Sequence, residues 1–290
     1  MAESTPIGDE PVLGSLRDAW QRLEWANSDG EAFARVGKGL VETGAYAVWV
    51  EHDGDRWQAT FRRLCDPAIE EEALDELARR LGAFLEHNRA ALNYCAYQFA
   101  LLALRKNPAL DSPDLLAKDR LRADKIECPL VRNREQFRGH NGIRNLPDEH
   151  RDVLDAIQPY DGRNEGLWLL QELAREYRHR VVHPAAITPV EDMHHVLVNG
   201  VRMDTHDMEI VPHERLEDGD VVLRFSLPGI DPDADVKPQI VLTIGIDHVL
   251  ARGLKGTSVL NQITADIGPA IEIIERGLAR AYAEIAPIGE

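Results

Sequence analysis

Cysteine is scarce in this chain, and the three present, Cys65, Cys95 and Cys128, form no CxxC pair. An odd number of distant cysteines cannot all pair within one chain, so a disulfide scaffold is excluded and a reduced, cytoplasmic setting is expected. A glycine-rich phosphate loop, a GxSxG elbow, a dinucleotide fingerprint and paired CxxC sets are all missing, which removes the common nucleotide enzymes and serine hydrolases. No apolar run approaches the roughly 20 residues needed to cross a bilayer. The opening MAESTPIGDE has neither the basic nor the apolar part of a secretory signal, so no membrane association is expected. Positive charge is also short: 33 Lys and Arg face 50 Asp and Glu, giving a formal charge of -17. Such a field repels polyanions wherever basic residues do not gather locally, and generic coating of nucleic acid is excluded.

What is present is apolar material for a sizeable core, 44% of 290 residues, which suffices for one large domain or two ordinary ones. Leu13, Leu16, Trp20 and Leu23 recur at helical spacing, predicting a short amphipathic helix that ends near Asn27-Ser-Asp-Gly30. Strand formers on either side of Asp53-Gly54 predict a hairpin from Ala45 to Phe61. Between Ile69 and Leu104 the apolar period continues without a Gly-Pro break, and Glu70, Glu71 and Glu72 sit where a helix dipole favours them. Asn107-Pro108 should end that longest helix. The stretch to Pro147 reads as a long loop, and helices are expected over about 148–157 and 164–183, with Pro184 as the stop.

After Pro189 the period changes to two. Asn199-Gly200, flanked by Val196, Val198, Val201 and Met203, is a type I′ hairpin signal, and further strands are expected around 211, 221–225 and 240–244. The acids at 204, 207, 218, 220, 231, 233 and 235 fall at strand ends and turns without the spacing of a calcium loop, so solvated loops account for them. Val259, Ile263, Ile267, Ile271, Ile274 and Leu278 then mark a closing helix over about 257–282. The expected architecture is α+β: an N-terminal helix and β-hairpin over 1–65, a helical core of antiparallel helices over 66–184, and an antiparallel β-sheet closed by a helix over 190–290.

Three pieces of the middle region carry a resemblance. Leu85-Glu-His-Asn-Arg-Ala-Ala-Leu-Asn-Tyr94 is similar to a helix of the form HNLRSALDHL. Leu146-Pro147 with Ile157-Gln-Pro-Tyr160 is similar to an LP...LQPY stretch, and Leu167-Trp-Leu-Leu-Gln-Glu-Leu173 with His179-Arg180 to an LWLLHEL...DKHR helix. Together they resemble a large group of uncharacterised bacterial proteins built on a HEPN-like helical core with flanking β elements. The resemblance implies a HEPN-like core over roughly 81–184. Asn93 stands where that group has Asp, and Tyr177-Arg178 replaces its Asp-Lys.

Separately, Arg178-His-Arg-Val-Val-His183 satisfies the R-x4-H pattern of HEPN ribonucleases. That likeness implies metal-independent RNA cleavage in a groove between two such helices, usually across a homodimer, in a stress or phage-defence setting. Neither metal nor cofactor is expected. A histidine near neutrality moves the proton of a 2′-hydroxyl or leaving oxygen, and an arginine holds the phosphate by charge-assisted bonds. His183 would be the acid/base, Arg178 the phosphate clamp and His179 polar support. Four residues apart, His179 and His183 share a helix face, yet Arg180, Val181 and Val182 supply no acid for a metal site of HExxH type. The competing structural reading is that basic residues at a helix C-terminus simply complement its dipole.

From Lys118 to Arg144 eight Lys and Arg, among them Arg132, Arg134 and Arg138, face four acids, the one extended basic island in the chain. With Arg175, Arg178 and Arg180 it would line a groove for RNA or a nucleotide, or it pairs internally with the acids at 70–76 or with the acidic strands. Arg89 and Asn93, four apart on the long helix, belong either to such a site or to a buried network that fixes helix register. Two functions therefore stand at this point. One is a non-catalytic module that binds a nucleotide, a nucleic acid or a protein partner, and the other is the metal-independent ribonuclease.

Overall fold

A computed structural model describes residues 15–116, 119–179, 184–189, 195–211, 216–238, 242–246 and 256–284. The helices are α1 (Arg17–Glu42), α2 (Pro67–Lys106), α3 (Arg134–Gly139), α4 (Asp148–Ala156), α5 (Glu165–His179) and α6 (Gly256–Ala283). The strands are β1 (Tyr46–Asp53), β2 (Arg56–Arg63), β3 (Pro184–Pro189), β4 (His195–Val198), β5 (Val201–Asp204), β6 (His206–Ile210), β7 (Val221–Ser226), β8 (Val236–Pro238) and β9 (Leu242–Ile246). The protein is thus α+β, with the N-terminal hairpin, the antiparallel strands and the closing helix in the expected order.

Packing divides the chain into two units. The first, Met1–Asn27, Leu85–Glu172 and Gln262–Glu290, is helical among the described residues; the second, Ser28–Phe84 and Leu173–Asn261, holds every described strand. In the first unit α6 joins three other helices. Trp20 Nε1 donates to Glu275 Oε1 at 3.4 Å, Lys106 reaches Glu284 at 3.1 Å, and the Gly166 amide donates to Asp266 Oδ2 at 2.6 Å. Gly166 is required there, because a Cβ would lie 2.7 Å from the backbone carbonyl carbon of Gln262. Leu92, Phe99 and Leu102 of α2, Leu167 and Leu170 of α5, and Ile263, Ile271, Ile274 and Leu278 of α6 are all buried. Each contributes roughly 2 kcal/mol of apolar burial. Pro269 lies inside α6, and the helix continues through it with the buried residues Ile267 and Ile271 on either side.

The second unit contains a four-stranded sheet in the order β1-β2-β7-β6, a pair β3-β9 and a three-stranded sheet β5-β4-β8. The strands after Pro184 therefore do not form one sheet of their own. β7 pairs with the N-terminal hairpin, Trp57 opposite Phe225 and Ala59 opposite Leu223, and all four of these side chains are buried on one face. Both hairpin turns follow their residues. Asn199 and Gly200 each have positive φ, as type I′ demands, whereas in the Gly54-Asp55 turn only Gly54 does, the type II′ requirement.

One helix end differs from expectation. α1 does not stop at Asn27–Gly30 but runs to Glu42. Asp29 is buried in an ion pair with Arg80 at 2.8 Å, and Gly30 lets the side chain of Phe84 approach to where a Cβ would stand at 3.3 Å. Tertiary packing thus overrides a local turn signal. α5 is helical to His179, and Arg180–His183, where its expected end falls, lie outside the described residues.

Candidate functional site

The best-defined polar constellation lies in the helical unit and is built on the loop before α3. Residues 128–131 belong to no helix or strand, and no described strand lies beside them. The Cys128 amide donates to Asn93 Oδ1 at 3.0 Å, and the Cys128 carbonyl accepts from Arg89 Nη2 at 3.1 Å. Residues four apart on α2 thus hold both polar groups of one residue, as a neighbouring strand would. From the other side Gln158 repeats the device. Its Oε1 accepts from the Val131 amide at 3.0 Å, and its Nε2 donates to the carbonyls of Pro129 and Leu154, each at 2.9 Å. Arg89 and Gln158 are buried, so their bonds to the Cys128, Pro129 and Leu154 carbonyls are made away from water, where an orphaned partner is costly. Arg89 and Asn93 thus hold the backbone of this loop against α2.

Electrostatics follow from this packing. Burial pushes the Cys128 thiol up to about 11, with Arg89 pulling slightly the other way. The thiol stays protonated and unreactive near neutrality. Burial likewise lowers the pKa of His140, opposed by Glu127 and aided by Arg89. His140 Nδ1 accepts from the Gly142 amide at 3.1 Å and shapes the turn after α3.

The basic island pairs internally, though with other acids than those at 70–76 or on the strands. Arg120 pairs with Asp111 at 2.8 Å, Arg122 with Asp124 at 2.7 Å and Arg134 with Asp155 at 3.3 Å, while Arg132 pairs with Glu165. Arg132 also lies over the Trp168 ring at 5.0 Å, and Arg134 over Tyr160 at 5.4 Å. Arg138 and Lys125 are exposed and make no ion pair among the described residues. Lys125 lines a small recess of about 110 Å³. Arg120, Arg122, Lys125 and Arg144 line it together with Asn141, Gly142 and Asn145, and no carboxylate does.

Of the residues proposed for cleavage, Arg178 is exposed on the last turn of α5, its Nε donating to the Ala174 carbonyl at 3.4 Å. Arg175 is exposed one turn earlier. His179 closes the helix, and Arg180 and His183 lie outside the described residues. Among the described residues no three His, Cys, Asp or Glu gather as a metal site would require, and no helix is long and apolar enough to cross a membrane. A second recess, about 470 Å³ between α4 and α6, has Val153, Ala156 and Ile273 in its lining and both signs of charge at its rim, including Glu149, Asp152, Arg276 and Arg280. Gln158 was the residue missed from sequence; its signal was a lone amide between Ile157 and Pro159 in an otherwise apolar turn.

No protein-family model, curated protein or solved structure matches this chain.

Proposed function

We propose that this protein is a non-catalytic, HEPN-like module that binds a phosphate-bearing ligand, a nucleotide or RNA, through the basic face between residues 120 and 145. The observation that supports this most is the fixed presentation of that face. Arg89, Asn93 and Gln158 secure residues 128–131, and Lys125 and Arg138, before and after them in the chain, are exposed without ion pairs among the described residues. In a chain of charge -17, a local positive excess held on a rigid support is the part of the surface that attracts an anion.

The test is RNA and nucleotide binding at several salt concentrations for wild type, Arg138→Glu and Arg132→Glu/Arg138→Glu. Binding should weaken with each reversal, and the slope of log K against log salt should flatten by roughly 0.7 to 0.9 for each phosphate that is no longer neutralised. Binding that both reversals leave unchanged removes the basic face from the account.

The ribonuclease reading rests on the exposed guanidinium of Arg178 at the end of α5. It requires cleavage of RNA in the presence of EDTA, abolished in Arg178→Ala and in His183→Ala. Equal activity of wild type and both variants refutes it.

A further inference from the structure

We propose that the recess between α4 and α6 binds a small zwitterion with an apolar body, an amino acid or a dipeptide, its ammonium toward α4 and its carboxylate toward α6. The recess shares no residue with the basic face, so this inference stands apart from the reading given to that face. Size comes first. About 470 Å³ falls within the range of roughly 300–1,000 Å³ over which pockets enclose small organic molecules. Val153, Ala156, Ile273 and Ala281 in the lining offer apolar surface to a side chain.

The two walls are held in place by the protein's own contacts. Gly277 of α6 lies so close to Val153 of α4 that a Cβ there would stand 2.7 Å from both valine methyl carbons. Lys106, at the end of α2, reaches Glu149 of α4 at 3.6 Å and Glu284, just after α6, at 3.1 Å. A recess formed in advance loses little binding energy to ordering.

Charge then selects the ligand. Glu149, Asp152, Glu284, Arg276 and Arg280 are the charged side chains among the lining residues. Lys106 engages Glu149 and Glu284, and Glu272 approaches Arg276 at 3.9 Å. What remains is one carboxylate on α4, Asp152, and one guanidinium on α6, Arg280, both exposed and neither in an ion pair among the described residues. A ligand that carries both charges answers both walls, whereas a simple anion or cation answers one. His150 adds an acceptor on the α4 side. It lines the recess, is 3% exposed, hydrogen-bonds to the Phe99 backbone and leaves Nδ1 without a partner. Burial keeps the imidazole neutral near pH 7, so Nδ1 offers a lone pair and the ring adds no charge.

The experiment is calorimetric titration of the full chain, near neutral pH, with leucine, leucyl-leucine, N-acetyl-leucine, leucinamide and glycine. Wild type should bind leucine or leucyl-leucine about tenfold or more tightly than N-acetyl-leucine, which lacks the ammonium, leucinamide, which lacks the carboxylate, and glycine, which lacks the apolar body. Asp152→Asn should weaken leucine binding about tenfold and bind N-acetyl-leucine as well as leucine; Arg280→Gln should do the same with leucinamide. Ala156→Trp, at an exposed position of the lining, should abolish binding at an unchanged urea midpoint. Lys38→Gln/Asp233→Asn, which removes one charge of each sign from the other unit, should bind as wild type does. Whichever of leucine and leucyl-leucine binds more tightly identifies the source of the zwitterion, and either order supports the site. N-acetyl-leucine and leucinamide binding as tightly as leucine overturns it. So do unchanged affinities in both Asp152→Asn and Arg280→Gln, and so does a wild type that binds none of these ligands.

Discussion

Residues 128–131 of the helical unit, which belong to no helix or strand, and strand β2 of the sheet unit have their peptide groups satisfied in opposite ways. β2 lies between β1 and β7, paired with β1 along all eight of its residues. The loop segment has only side chains, two from α2 and one from the turn after α4. A ladder is redundant, because losing one rung leaves the rest in register. A clamp of three side chains is not, since each carries bonds that nothing else replaces. The same contrast appears in what each region leaves open. The clamped segment is flanked in sequence by the exposed basic residues Lys125, Arg132 and Arg138, and the sheet spends its polar groups on its own strands.

Removing a clamp residue breaks this comparison most sharply. Gln158→Ala strips the partner from the Val131 amide and the Pro129 carbonyl, both supplied by one buried side chain. Two orphaned buried groups and a vacated side-chain volume should cost roughly 3–5 kcal/mol. Urea denaturation at neutral pH reads this directly, against Gln58→Ala on β2, where the ladder remains and the loss should stay within about 0.5 kcal/mol. Similar losses at the two positions would mean that the loop has support other than the clamp.

The next effect comes from close packing rather than hydrogen bonding. Gly166→Ala places a methyl group against the backbone of Gln262 on α6, which cannot rotate away. A loss of about 1–3 kcal/mol is expected from overpacking. Gly54→Ala at the tip of the first hairpin meets no atom within 4 Å and costs only the strain of a positive φ, roughly 1 kcal/mol. If Gly54→Ala were the more damaging of the two, turn geometry rather than helix approach would be the tighter constraint.

The parts of this fold that were legible in the sequence are those whose cause is local. Asn199-Gly200 encodes its own turn, and the apolar period of α2 and α6 needs no knowledge of the partner helix. The pairing of Trp57 with Phe225 joins residues far apart in the chain, so alternation showed that strands exist but not which are neighbours. Asn27–Gly30 misled for the same reason: only the presence of Phe84 and Arg80 explains why a helix passes through a turn signal. For the candidate site, the basic island and the Arg89–Asn93 pair were visible as charge and spacing. Their target, the backbone of Cys128, was not, because a loop peptide carries no side-chain signature of what will hold it.

The smallest expected effect separates the two units by pH. His150 is buried against Phe99, ring centroids 5.0 Å apart, and burial lowers its pKa below the ordinary 6.5; His140 is lowered in the same way. Both belong to the helical unit. Their folded pKa values lie below the unfolded ones, so above about pH 6.5 neither state binds the proton and stability is flat. As pH falls below that value the unfolded chain takes up protons first, and stability declines until the folded histidines titrate in turn. Urea midpoints at pH 7.5 and 5.5 should therefore drop for wild type, and drop less for His150→Phe and for His140→Asn. An unaltered decline in both variants would place the sensitivity in other groups and end the case for neutral histidines in the helical unit.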